Sequence, residues 1–84
     1  MFTAFVLLNC DLGTEHATIE KMNDISGVSE AVRVSGVYDI VAKVSALSRE
    51  HVSKVVKTIR AIADVRSSLT MVVAEDVLKR EMST

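Results

Sequence analysis

Apolar and polar residues alternate along this chain with two different periods, and the changes of period divide it into six elements. Residues 2–9 form a dense apolar run, which predicts a strand buried on both faces. After Thr14, a candidate N-cap, apolar residues follow at helical spacing as far as Ser26-Gly27. We therefore expect a first helix of roughly three turns.

Two strands joined by a short link come next. Strict alternation runs over residues 28–34 and resumes at Ile40, after a link around Gly36. Two alternating runs on either side of a glycine-containing link predict a β-hairpin.

The second half of the chain repeats the order of the first. Ser48 is a good N-cap, and the apolar residues after it have the 3/4 spacing of an amphipathic helix: Val52, Val55, Val56, Ile59 and Ile62. Alternation over 65–74 predicts a last strand, and 77–84 is a polar C-terminal tail. The same helix-to-strand junction occurs twice, 37 residues apart, as Ile25-Ser26-Gly27-Val28 and Ile62-Ala63-Asp64-Val65.

The order β-α-β-β-α-β predicts one α+β domain of ferredoxin-like fold over residues 1–76. This fold is a four-stranded antiparallel sheet with two helices on one face. The other face then has no cover, and alternation places apolar and basic residues on it together: Val41, Val72, Arg33, Lys43 and Arg66. Because 49% of the residues are apolar and a short chain buries only roughly 60–65% of its surface, we expect dimerisation through this face.

Charge and composition exclude several classes of function. Ten Lys and Arg against 11 Asp and Glu give a net charge of −1, and the basic residues are scattered, so no direct binding of nucleic acid is expected. The apolar N-terminal run meets polar residues too early for a signal peptide or a membrane span. A cytoplasmic location without membrane attachment is therefore the expectation.

The residues that often carry chemistry do not form a catalytic or metal-binding pattern. Cys10 is the single cysteine, which excludes an intrachain disulfide and a CxxC site and favours an inert, buried thiol. His16 and His51 fall near predicted helix starts, outside any metal-ligand spacing, and are expected on helix surfaces. We expect no catalytic residues, no metal and no cofactor.

The most informative segment is the link Gly36-Val37-Tyr38-Asp39. Gly36 can adopt the positive φ that a tight link needs, and the Asp39 carboxylate can accept hydrogen bonds from a ligand ammonium. The alternative is an ordinary hairpin loop in which Asp39 accepts hydrogen bonds from local backbone N–H groups. Ser68 and Thr70 share a face of the last strand, where they either line a polar pocket or lie on a solvated edge.

This segment and its surroundings resemble the ligand-sensing (RAM) domain of the Lrp/AsnC family. The family pattern is a β-branched strand, then Gly-x-Tyr-Asp, then an apolar strand that often carries a Lys, and residues 34–44 (VSGVYDIVAKV) are similar to it. The junction at 25–28 resembles the Pro-Gly-Val junction of the family with Ser in place of Pro. Residues 70–73 resemble its last strand, so the similarity covers about residues 2–76.

The resemblance implies a fold that dimerises through its sheets, often assembles into an octamer of four dimers, and binds amino acids or related metabolites between dimers. It implies that the ligand is held by Gly36, Val37, Tyr38 and Asp39, and approached from a neighbouring subunit by Ser68 and Thr70. Typical members also carry an N-terminal helix-turn-helix domain, whereas Met1 here directly precedes the first strand. The chain therefore resembles the stand-alone sensing modules.

The expected function is an oligomeric amino-acid sensor that regulates amino-acid metabolism or transcription through partners such as full-length Lrp/AsnC regulators. One alternative is a small dimeric α+β barrel enzyme of the cofactor-free monooxygenase or isomerase type, although three aromatic residues offer little material for its cavity. The other alternative is a purely structural oligomerisation module that binds no small molecule.

Overall fold

The computed structural model describes residues 1–73 and contains the six expected elements in the expected order. They are β1 (Phe2–Cys10), α1 (Glu15–Asn23), β2 (Val28–Arg33), β3 (Ile40–Ala46), α2 (Arg49–Arg60) and β4 (Val65–Val72). The strands form one antiparallel sheet in the order β2-β3-β1-β4, which confirms the ferredoxin-like prediction. The polar tail predicted at 77–84 lies outside the described residues.

The two helices begin in different ways. At the start of α2 the Ser48 hydroxyl accepts a hydrogen bond from the backbone N–H of His51 at 3.1 Å, as expected for an N-cap. Thr14 precedes α1, but its hydroxyl instead donates to the Asp11 carbonyl at 2.6 Å and caps no helical N–H. Within residues 1–73, no helix is long and apolar enough to cross a membrane.

The core is a single layer of side chains between the two helices and one face of the sheet. The central strands supply most of its fully buried members: Ala4, Val6, Leu8, Ile40, Ala42 and Val44. Met22 from α1 and Ile59 from α2 supply the helix side of this layer. The prediction that β1 is buried on both faces is wrong within one chain, because its alternate positions, Phe5 and Leu7 among them, are only half-buried.

The second strand of each half, β2 or β4, begins with the same irregularity. Val28 N–H donates to the Ile25 carbonyl at 3.1 Å, and Val65 N–H donates to the Ile62 carbonyl at 3.0 Å. Directly after each valine the pairing register of the strand shifts. One extra residue in a strand is a β-bulge, and it reverses the alternation of side chains between the two faces. Each valine packs on the core, and the residues after its bulge lie on the face opposite to the one that alternation counted from that valine predicts.

The two bulges explain why strict alternation assigns several side chains to the wrong face. Alternation places Arg33 and Val72 on the helix-free face, but they pair with the core residues Ile40 and Ala4 and therefore share the helix-covered face. Arg66 falls at the second bulge itself. The assignments of Arg33 and Val72 are wrong, whereas Val41 lies on the helix-free face as predicted.

The helix-free face carries a continuous apolar patch. We call its central line of register partners the apolar row, which crosses all four strands as Val32, Val41, Leu7 and Leu69. The neighbouring line contains Glu30, Lys43, Phe5 and Met71. Met71, which the sequence pattern assigns to the core, is therefore on this patch and 48% exposed. Such a patch on a small chain favours association with a second copy.

We expect Gly27→Ala to lower the free energy of unfolding by about 2–4 kcal/mol, because backbone strain at positive φ and a steric clash with Val55 add together. Gly27 has φ +102°, and a Cβ there would lie 2.7 Å from Cγ2 of the buried, β-branched Val55. Gly13→Ala is the matched control, since Gly13 also has positive φ (+84°) but nothing lies within 4 Å of its would-be Cβ. Urea denaturation should show the larger loss of stability for Gly27→Ala. Equal losses in the two variants would mean that the Val55 side chain moves aside without lowering the stability.

We expect sedimentation at micromolar concentration to show no stable 9.1 kDa monomer, and Leu69→Lys to produce one. The substitution puts a charge into the apolar row, where association would have to desolvate it. Leu47→Lys is the control, since Leu47 is 83% exposed in the turn between β3 and α2. A monomeric wild-type chain, or equal effects of the two substitutions, would contradict association through this face.

Candidate functional site

The link Gly36–Asp39 lies at the end of the sheet where β1 ends and β3 begins. Val34 N–H donates to the Asp39 carbonyl at 2.8 Å, and Asp39 N–H donates to the Leu8 carbonyl at 3.0 Å. These bonds fix the base of the loop against β1. Its tip stands in solvent, with Val37 85% exposed and Gly36 at φ +144°, as the sequence predicts for a tight link.

The Asp39 carboxylate has a structural partner that sequence reasoning does not identify. Its Oδ2 accepts a hydrogen bond from the backbone N–H of Cys10, the last residue of β1, at 3.1 Å. The hairpin-loop interpretation expects a backbone donor within the loop, whereas the observed donor lies 29 residues away in the chain. The interaction holds the loop and the end of β1 together, and it occupies one of the two carboxylate oxygens.

Asp39 differs from the other aspartates at this end of the sheet. Arg66 pairs with the Asp11 carboxylate, and this hydrogen bond and charge raise the pKa of Arg66. Lys21 Nζ lies 3.2 Å from Asp64 Oδ2. None of the ion pairs within residues 1–73 includes Asp39, so its half-buried negative charge remains available to a cationic group.

The remaining candidate side chains occupy the places that the sequence predicts. Cys10 is a free, buried cysteine. His16 lies on the surface of α1 with Nε2 2.9 Å from Glu20 Oε1, and His51 is exposed on α2. In the part of the chain that the structure describes, no group of three or more His, Cys, Asp or Glu side chains is placed to hold a metal ion.

Ser68 and Thr70 share a face of β4, as predicted, but they lie away from the loop at 36–39. They are half-buried on the helix-covered face, opposite Leu8 and Val6 of β1. Because β1 lies between β3 and β4, the strands that carry the two groups are about 9–10 Å apart. One chain therefore does not gather the six residues into a single pocket.

A groove of about 510 Å³ runs between α2 and β4, and we call it the α2–β4 groove. Residues of the helix and the sheet line it together, among them Arg49, Ser53, Val56, Arg60, Phe2 and Thr70. Thr70 is the one predicted site residue that reaches it. The sequence contains a partial signal for the groove, because positions 49, 53, 56 and 60 form one stripe along a helix.

Comparison with known proteins connects this chain to one family. The family described as the Lrp/AsnC ligand binding domain matches residues 3–83. The solved structure of TTHA0845 from Thermus thermophilus is 30% identical, with a TM-score of 0.83, and the match covers 89% of this chain and 95% of that one. AsnC of E. coli has the same fold, with a TM-score of 0.80 and 22% identity over 89% of this chain and 52% of AsnC.

A curated relative places a similar segment inside a much longer protein. Homocitrate synthase of Saccharolobus islandicus is 34% identical over 71 residues, which are 83% of this chain. The chain spans only about 15% of the length of that relative. The likeness therefore concerns one segment of the enzyme.

We expect Asp39→Ala to lower the free energy of unfolding by about 1 kcal/mol, and Asp39→Asn to lower it by less. Alanine leaves the Cys10 N–H without its acceptor, whereas the asparagine amide oxygen can replace Oδ2. Urea denaturation of the two variants measures the difference. Equal stability of the two would show that the hydrogen bond to Cys10 does not hold the loop.

Proposed function

The chain belongs to the Lrp/AsnC ligand binding domain family, and on that basis we propose that it is a regulatory module that binds an amino acid or a closely related metabolite. The binding segment is Gly36–Asp39. The observation that carries this proposal is the Asp39 carboxylate, which has no cationic partner among the described residues and stands at the base of an exposed loop.

The chemistry of the loop suits a zwitterion. The free charge of Asp39 can accept the α-ammonium of a ligand in a charge-assisted hydrogen bond. At the tip, the backbone N–H groups of Gly36 and Val37 take part in no backbone hydrogen bond within residues 1–73, so they are available to an α-carboxylate. Tyr38 is half-buried beside them and offers an apolar surface to the ligand side chain.

Completion of the site requires a second subunit in this proposal. Copies of the chain associate through the apolar row, and such dimers assemble further, with an octamer of four dimers as the expected form. Ser68 and Thr70 of a neighbouring subunit then approach the ligand at Gly36–Asp39. Their distance from the loop within one chain supports this arrangement.

The signal passes to a partner protein and involves no catalysis by this chain. Full-length regulators of the same family are one class of partner, since they carry the same domain and can assemble with it. A similar segment within homocitrate synthase supports metabolic enzymes as a second class. Membership of a regulatory ligand-binding family favours this function over an α+β barrel enzyme. A purely structural module would bind no ligand at all, and the next experiment distinguishes it from a ligand-binding module.

We expect one or a few of the twenty amino acids to raise the melting temperature of the full chain at millimolar concentration, because a ligand of the native state stabilises it by mass action. Asp39→Asn should weaken binding of the same amino acid by about 10- to 150-fold in calorimetry, since a hydrogen bond to a charged group is lost.

Asp24→Asn is the matched control for charge. It removes the same charge from the exposed end of α1 and should leave the affinity unchanged. Absence of any thermal response to the twenty amino acids would favour the structural module. An unchanged affinity in Asp39→Asn would remove Asp39 from the site.

A further inference from the structure

The α2–β4 groove is separate from the loop at 36–39 and has the opposite charge. Arg49 and Arg60 lie among its lining residues, and no acidic side chain does so within residues 1–73. The middle of the groove is apolar, with Val56 on the helix side and Val72 on the strand side. Its volume of about 510 Å³ lies within the range of about 300–1,000 Å³ that is usual for small-molecule pockets.

The geometry of α2 places the two arginines at opposite ends of the groove. Arg49 and Arg60 are the first and last residues of the helix. Eleven positions of an α-helix make slightly more than three whole turns and advance about 16 Å, so both residues are on the same side. Arg49 is also held in place, because its Cζ lies 5.8 Å from the centroid of the Phe2 ring, within cation–π range.

These arginines are not used by the ion pairs of the folded chain. The three pairs found among the described residues join His16 to Glu20, Lys21 to Asp64, and Arg66 to Asp11. The groove therefore offers guanidinium groups at both ends and apolar side chains between them. An ammonium group placed there would meet two cations and, among the described lining residues, no carboxylate.

We propose that the α2–β4 groove binds an aliphatic carboxylate that carries no ammonium group. Its carboxylate pairs with Arg49, because a planar guanidinium matches the two oxygens of a carboxylate. Its hydrocarbon chain lies along Val56 and Val72 toward Arg60, where burial of apolar surface contributes the rest of the affinity. This site selects against the zwitterions that Asp39 would select for, so the two sites take different classes of ligand.

The test uses three ligands with the same eight-carbon chain and different charges, titrated into the full chain by calorimetry. Octanoate should bind saturably and octylamine without detectable heat. In the Asp39→Asn chain, where the proposed amino-acid site is impaired, 2-aminooctanoate should bind more weakly than octanoate. Amide resonances of Thr70, Val72 and Val73 should shift with octanoate in heteronuclear NMR, because these residues line the groove. Higher salt should weaken octanoate binding, since the arginines are exposed.

Matched variants of α2 locate the carboxylate. Arg49→Gln should weaken octanoate binding by about fivefold, a modest change that reflects the solvent exposure of this charge. Lys54→Gln removes the same charge from the same helix, about 140° around the axis from Arg49 and outside the groove lining, and should leave the affinity unchanged. Asp39→Asn should also leave octanoate binding unchanged, so failure of the amino-acid site does not affect this result.

Three outcomes would overturn the proposal. Equal binding of octanoate and octylamine would show that only the hydrocarbon chain is recognised. Equal losses in Arg49→Gln and Lys54→Gln would show a general effect of charge rather than a site at Arg49. Absence of octanoate binding by the full chain would show that the groove does not receive this class of ligand in the assembled protein.

Discussion

Both helices of this protein pack on one face of the sheet, and strand geometry then determines most of what remains. Successive side chains of a strand point to opposite faces, so every residue that β1 or β3 supplies to the core has neighbours on the uncovered side. In these central strands the neighbours include Phe5, Leu7 and Val41. The six described elements supply no third layer, so the apolar row is left without cover within one chain.

Periodicity in the sequence predicts the six elements and their order, because each element repeats its pattern over several residues. Ser48 shows that a local signal can also be exact in position, since capping depends on residues only three apart. Face assignments in β2 and β4 fail for a different reason. A bulge changes the phase of a strand through one backbone position, and no periodic pattern marks it. Arg33, Val72 and Met71 are consequently on the opposite face from the one that alternation predicts.

In the candidate site, too, features made of consecutive residues can be predicted from the sequence, whereas contacts between residues that are distant in the chain cannot. Gly36–Asp39 can be recognised in the sequence because its residues are consecutive and their types match a known pattern. The bond from Cys10 to Asp39 cannot be recognised, since it joins residues 29 positions apart that only the pairing of β1 and β3 brings together. The α2–β4 groove is an intermediate case. The spacing of Arg49 and Arg60 is visible in the sequence, but the apolar floor depends on where α2 packs.

The two halves of the molecule share not only the order of their elements but also the position of a β-bulge. Val28 and Val65 occupy equivalent positions, 37 residues apart, and each is followed by the same change of phase. Two halves that agree in such a detail are what duplication and fusion of a single strand–helix–strand unit would leave behind. Each half also contributes two members of the apolar row, Leu7 and Val32 from the first half and Val41 and Leu69 from the second.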